Sequence, residues 1–251
     1  MPTKAKAALL RFTAWSWSRF NDHRRCAFYA FCKYLRKLPE PGSPAMDRGG
    51  AIHKLAEDWT LGKGDKLPPE LKLFKTEFAH LRKIKANVEG QIAVDRMWKP
   101  TDWFGKDAWL RVVTDARYEE NPKDGKVVSA IDHKTGKIYE ENDEQLSLYI
   151  PALFSHYPRA DEINLKLYYL DQGEERLYRY RREGIARPRE LPPARKGGAP
   201  VVEKAPSHVA LMKIWTEKSY PILTDRQFVA TPNDKCRFCH YRKSNGGPCR
   251  Y

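Results

Sequence analysis

The feature that most constrains this chain is a pair of apolar, strand-like runs that each end in charge. One reads WLRVVTD over 109–115 and closes on Asp115; the other reads VVSAIDHKTG over 127–136 and carries Asp132 and Lys134. Alternation along a strand puts side chains 132 and 134 on one face. Burying either charge alone at the end of a core strand costs several kcal/mol, so the charges compensate one another or share a cation. The segment NPKDG at 121–125 predicts a hairpin turn, and antiparallel pairing through it brings Asp115 beside Asp132. Adjacent carboxylates repel, and a hard divalent ion such as Mg or Mn relieves that repulsion. Such an ion polarises a phosphate and activates water, with Lys134 placed to orient the water and offset developing negative charge. An Asp and a Lys at a strand end also form ordinary surface ion pairs, so the pair must be read in context.

Around these runs the periodicity separates three stretches. Apolar spacing predicts a helix over 18–38 ended by the prolines at 39–44, a second over 51–61 after an RGG turn at 48–50, and a third over 69–88. Short runs rich in Val, Ile, Trp and Tyr at 89–98, 108–119 and 126–132 predict strands. A helix over 142–156, strands over 163–170 and 176–182, and a helix from 208 to about 220 follow. The expected fold is α/β, a mixed central sheet flanked by helices. As an organisation we expect a single domain over 1–251. It has an N-terminal helical part at 18–88, a sheet and helix carrying the charged strand ends at 89–184, a flexible basic loop at 185–207 and a C-terminal helix with a Cys-rich module at 208–251. The 185–207 stretch holds five prolines and is compatible with ordering against DNA or with a plain solvated loop.

The context comes from two further motifs. In RGGAIHKLAE (48–57), His53 and Glu57 stand four apart on a helix face, where an imidazole can complete a coordination sphere. In EQLSLY (144–149), Gln145 and Tyr149 stand four apart on the helix after the charged strand, able to brace Lys134 or contact a DNA backbone. In this order the segments resemble the RecB-like branch of the PD-(D/E)XK nuclease superfamily, whose members carry a GxxxH helix, an acid ending one strand, a D/E-x-K-T-G strand end and a QxxxY helix. Gly49, His53, Asp115, Asp132, Lys134, Thr135, Gly136, Gln145 and Tyr149 carry the resemblance. It implies a restriction-endonuclease-like core, with His53, Asp115, Asp132 and the backbone carbonyl of His133 binding metal. Asp115, Asp132, Lys134, Gln145 and Tyr149 would then form the catalytic group. Glu89 resembles an acid that some members carry in the first strand; an exposed strand charge explains it equally well.

The tail CRFCHYRKSNGGPC (236–249) places Cys236, Cys239 and Cys249 in a short loop that lacks the bulk to be stable unaided. Five cysteines in a reducing compartment argue for metal or cluster ligation or buried thiols rather than disulfides. Iron–sulfur members of the same nuclease family, CRISPR-associated exonucleases among them, pair one upstream cysteine with three downstream. Cys26 matches the upstream position, so the resemblance implies a [4Fe–4S] cluster on Cys26, Cys236, Cys239 and Cys249. Zinc held by the three tail cysteines with Cys26 or His240 is chemically permitted by the same ligands. Cys32, among aromatic residues, reads as a buried thiol.

Forty-six Lys and Arg against 32 Asp and Glu give a net charge of +14, which concentrates polyanions around the chain. Arg24, Arg25, Lys83, Lys85 and the basic run 187–196 are candidate DNA contacts, as is RLYRYRR at 176–182, which also suits a charge-protected edge strand. No signal-peptide pattern and no apolar run long enough to span a membrane occur, so a cytoplasmic protein without membrane partners is expected. The expected function is metal-dependent hydrolysis of DNA, as an exonuclease directed at single strands or duplex ends. The family places it in phage or CRISPR-associated recombination or repair, with a partner protein from that machinery. The rival is a non-catalytic DNA-binding adaptor stabilised by an Fe–S cluster or zinc.

Overall fold

The computed structural model describes residues 10–138, 141–184 and 206–251. Helix α1 (Trp17–Arg25) starts at Ser16, whose hydroxyl accepts from the Arg19 amide. The single helix expected over 18–38 is instead interrupted. Cys26 is extended (φ −167°, ψ 113°), closing α1 with its N–H on Asp22 O and opening α2 (Ala27–Ala30) with its carbonyl. One π-helical turn, Phe31–Leu35, follows. Apolar periodicity does not register the break, because Phe20, Ala30 and Cys32 all remain buried across it.

Helix α3 (Pro44–Thr60) begins earlier than the RGG turn would have it. Ser43 caps it by accepting from the Met46 amide at 3.3 Å, and Pro44 fills the first turn, where its missing N–H costs nothing. Gly49 and Gly50 therefore lie inside the helix. A Cβ at Gly49 would stand 3.1 Å from Thr135 Oγ1, so the glycine brings α3 against the end of the charged strand. The third expected helix divides into a 3-10 turn (Pro69–Phe74) and α4 (Lys75–Ile84). It stops short of 88 because Lys85 takes a left-handed conformation, φ 53°, and Asn87 enters the sheet.

Six strands form one mixed sheet: β1 (Asn87–Val94), β2 (Pro100–Thr101), β3 (Leu110–Glu119), β4 (Val127–Lys134), β5 (Glu162–Tyr169) and β6 (Glu174–Arg181), in the order β2-β1-β3-β4-β5-β6. All neighbours are antiparallel except β4 and β5, which α5 (Glu141–His156) connects as a crossover. One sheet face packs with α1, α5 and α6 (His208–Thr224) around Trp15, Leu148, Leu153 and Trp215. Ile52, Ala56, Phe78 and Leu81 of α3 and α4 cover Ile131, Ala116 and Tyr168 on the other. The fold is the expected α/β class, consistent with a restriction-endonuclease-like core.

The sheet is distorted beside the charged strand tips. The β1–β3 ladder skips the Glu89–Asp115 position, and Glu89 there has φ 47°. Val88 and Ala116 pack with the α3–α4 layer, whereas Ile92 and Val112, of the same parity, pack with the α5 layer. The sheet thus changes faces at Asp115. Next to it, Gly90 leaves room for a buried arginine, because a Cβ there would collide with the Arg117 guanidinium.

Candidate active site

The last registered pair between β3 and β4 is Ala116 with Ile131, so Asp115 and Asp132 sit just where the two strands part. Asp115 Oδ2 accepts from the His133 backbone N–H at 2.5 Å, and its Oδ1 lies 3.1 Å from His53 Nδ1 on α3. Asp132 Oδ2 stands 2.5 Å from Lys134 Nζ, the same-face neighbour that period two requires. Gln145 ties the group together. Its Oε1 accepts from Lys134 Nζ at 2.9 Å, while its Nε2 donates to Asp132 Oδ1 at 3.2 Å and to Tyr149 Oη at 2.6 Å. The helical spacing of 145 and 149 thus faces the strand tip.

Electrostatics separate the two acids. Burial pushes Asp115 up, but the His53 hydrogen bond and nearby His133 outweigh it and hold the carboxyl below its usual range. Burial pushes Asp132 up, and Asp115 adds to this; Lys134 offsets only part, so the carboxyl ends above its usual range. His53 is raised by its hydrogen bond to Asp115. His133 is pushed down to about 4 by burial.

Two features here were not legible in the sequence. Asp171, in the β5–β6 turn, accepts from the Gly136 amide at 2.6 Å and from Arg48 at 2.5 and 3.0 Å, clasping the loop after Lys134 to α3. Among the described residues, one set of three or more His, Cys, Asp or Glu ligand atoms lies mutually within 4.8 Å: His53, Asp115 and His133. The ring of His133 thus faces the site as well as its backbone.

The second cluster is at the tail. Cys26, Cys236, Cys239 and Cys249 line one cavity together with Tyr29 and Tyr241. The interruption at Cys26 is what turns its thiol to this cavity; Thr231 N–H lies 3.5 Å from its sulfur. Asn233 donates to Arg25 O at 3.0 Å, and Tyr241 to Leu38 O at 3.2 Å, fastening the tail to the N-terminal helices. Cys32 is buried beside them, its thiol pushed up to about 12 by burial. A tetrahedral zinc with bonds of about 2.3 Å holds its sulfurs about 3.8 Å apart.

A family model of the PD-(D/E)XK nuclease superfamily matches residues 14–122. Over that stretch the chain is similar to PD-(D/E)XK nucleases. That superfamily match takes in His53 and Asp115 and ends before Asp132 and Lys134. PD-(D/E)XK nucleases act on DNA and typically use divalent metals, which the paired acids and histidines fit chemically. A solved structure described as "Crystal structure of SSO0001" is similar over 100% of this chain and 98% of its own, at 12% identity and a TM-score of 0.42. Among curated proteins no match was found. Among the described residues, no helix is long and apolar enough to cross a membrane.

Of the expected DNA contacts, Arg24 is taken up by Glu144 at 2.7 Å and by the ring of Phe20, and Arg25 lies over Tyr29. Lys83 and Lys85 are exposed. The loop at 185–207, except its last two residues, and the basic run 187–196 lie outside the described residues.

Proposed function

We propose that this chain is a RecB-like, Mg- or Mn-dependent deoxyribonuclease, a single nuclease unit over 1–251. We read it as an exonuclease directed at single strands or duplex ends, in phage or CRISPR-associated recombination or repair in the cytoplasm. The observation that carries this reading is the interlock at the parting of β3 and β4, where Asp132, Lys134 and Gln145 hold one another beside the Asp115–His53 pair. His53, Asp115, Asp132 and the His133 carbonyl would hold the ion. When bound, the ion supplies Lewis-acid polarisation of the scissile phosphate and a lower pKa for the attacking water. Lys134, steadied by Gln145, orients that water and offsets charge on the phosphate oxygens; Tyr149 fixes Gln145 in turn. Asp115 keeps His53 aimed at the site.

The four cysteines we read as ligands of a [4Fe–4S] cluster. Their convergence on one cavity supports metal ligation. Its role is structural, joining residue 26 to the tail.

Purified protein is expected to degrade labelled single-stranded DNA with Mg or Mn and to stop when chelator is added. Lys134→Ala should lower cleavage about a hundredfold to a thousandfold while the protein remains folded. Undiminished cleavage in that variant would exclude the mechanism, and DNA binding with no cleavage by the parent would leave the adaptor reading.

A further inference from the structure

The loops that join β1 to β2 and β2 to β3 play no part in the proposed chemistry, yet both are tightly built. In the first, Asp95 Oδ1 accepts from the amides of Met97 and Lys99 at 2.8 and 2.9 Å, and Trp98 turns inward to donate to Thr216 Oγ1 at 3.1 Å. In the second, the Gly105 amide closes on Asp102 O at 2.9 Å, and Arg111 holds the Trp103 carbonyl at 2.8 Å while lying over its ring. Each turn draws a tryptophan towards the body of the protein and sends its neighbour outward: Met97 is 76% exposed and Phe104 87%. An aromatic ring held in water by an ordered turn adds nothing to the core and suits a partner with a flat face.

Beside these turns lies a cleft of about 420 Å³, where Arg11, Arg96, Lys106 and Arg226 face two acids, Asp95 and Asp107. Among the described residues Arg11, Arg96 and Lys106 enter no ion pair. Arg226 spends one nitrogen, Nη1, on the carbonyls of Leu223 and Asp225. Asp95 is engaged by its own turn. The cleft therefore holds a surplus of cations that the fold does not use, a complement to a polyanion. Trp109 at its wall precedes β3, and six residues of strand, about 20 Å, separate it from Asp115.

The geometry points to this cleft as a binding site for single-stranded nucleic acid, with phosphates on the four cations and a base stacked on Phe104. The assignment rests on the nuclease reading for its substrate and deepens it, because it says which form of the polymer is held and where. A duplex keeps its base faces inside the stack, so an unpaired strand is the form that offers one to Phe104. The strand is gripped well away from the reaction centre, by residues that take no part in hydrolysis.

The test measures binding of labelled oligothymidylate to the full-length protein by fluorescence anisotropy, without divalent ion, over a series of salt concentrations. Phe104→Ala should weaken binding about fivefold to a hundredfold and leave the salt slope unchanged, as loss of a stacked base requires. Arg96→Gln with Lys106→Gln should lower the slope of log affinity on log salt by about 1.4, the share of two phosphate contacts on a single strand. Lys72→Gln with Lys123→Gln removes the same charge elsewhere and should leave the slope as it is. All five side chains are exposed, so the variants keep the fold. Unchanged affinity in Phe104→Ala, or an equal fall in slope in the Lys72 and Lys123 pair, overturns the inference. Duplex DNA or polyglutamate that displaces the label as well as unlabelled oligothymidylate does overturns it too, as does self-association of the parent that Phe104→Ala abolishes. Cleavage by the parent, with these variants binding and cutting like it, would retain the nuclease and discard the cleft. Binding with the expected dependences but no cleavage would do the reverse.

Discussion

Gln145 has one amide and three partners. Its oxygen takes the Lys134 ammonium, and its nitrogen serves both Asp132 and Tyr149. An alanine there leaves Lys134 held by Asp132 alone and uncovers a buried carboxylate that already lies above its usual pKa range. Gln145→Ala should therefore lower single-turnover cleavage about tenfold to a hundredfold, the usual effect of losing a group that orients a catalytic one, with little change in DNA affinity. Equal loss of affinity and rate would instead make Gln145 a DNA contact. Much of this residue-level picture was legible in advance, because strict periods connect the residues: two along β4 for Asp132 and Lys134, four along α5 for Gln145 and Tyr149. The His133 ring was not. By the same period it faces away from Asp132, and what holds it, Phe78 and Tyr168, comes from elements more than thirty residues off in either direction along the chain.

Helix α5 is held at its start by a charge contact across three elements. Glu144 accepts from Arg24 of α1 at 2.7 Å and from Lys218 of α6 at 2.8 Å. Burial pushes the Glu144 carboxyl up, but these two cations outweigh it and hold it below its usual range. A carboxyl depressed in the folded state stabilises above its unfolded pKa, and that contribution fades as pH falls through the folded value. Glu144→Gln should thus cost up to about 1 kcal/mol near neutral pH, since the pair is partly solvated. The parent and variant denaturation curves should draw together as pH falls below the unfolded carboxyl's value of about 4.3, and meet once the folded carboxyl has protonated as well. A constant gap across that range would mean that packing, not charge, sets the cost. At this scale the strands were readable from their β-branched and aromatic runs, as were the later helices. The early helix ends were not, because they are decided by contacts: Gly49 inside α3 answers to Thr135, and the extended residue at Cys26 answers to a cavity formed with the tail.

Across the whole molecule, the sheet with helices on both faces carries the apolar core, while the last fifteen or so residues have little of their own; Cys236, Cys239 and Cys249 reach back to Cys26 instead. The pure protein is expected to contain iron and acid-labile sulfide. Cys26→Ser should lose both, lower the melting temperature and expose the tail to proteolysis before the sheet. Zinc with no iron in the parent would replace the cluster with a single-ion site. The α/β class could be read from the order of patterns alone, whereas the cavity's shape needed the two ends of the chain to meet. That meeting bears on inactivation. Cys26 lies two residues from Arg24, and Arg24 grips Glu144, the immediate neighbour of Gln145. Oxidants that strip the thiols would slacken a short mechanical linkage ending at the amide beside Lys134, and so blunt the cutting edge without ever touching it.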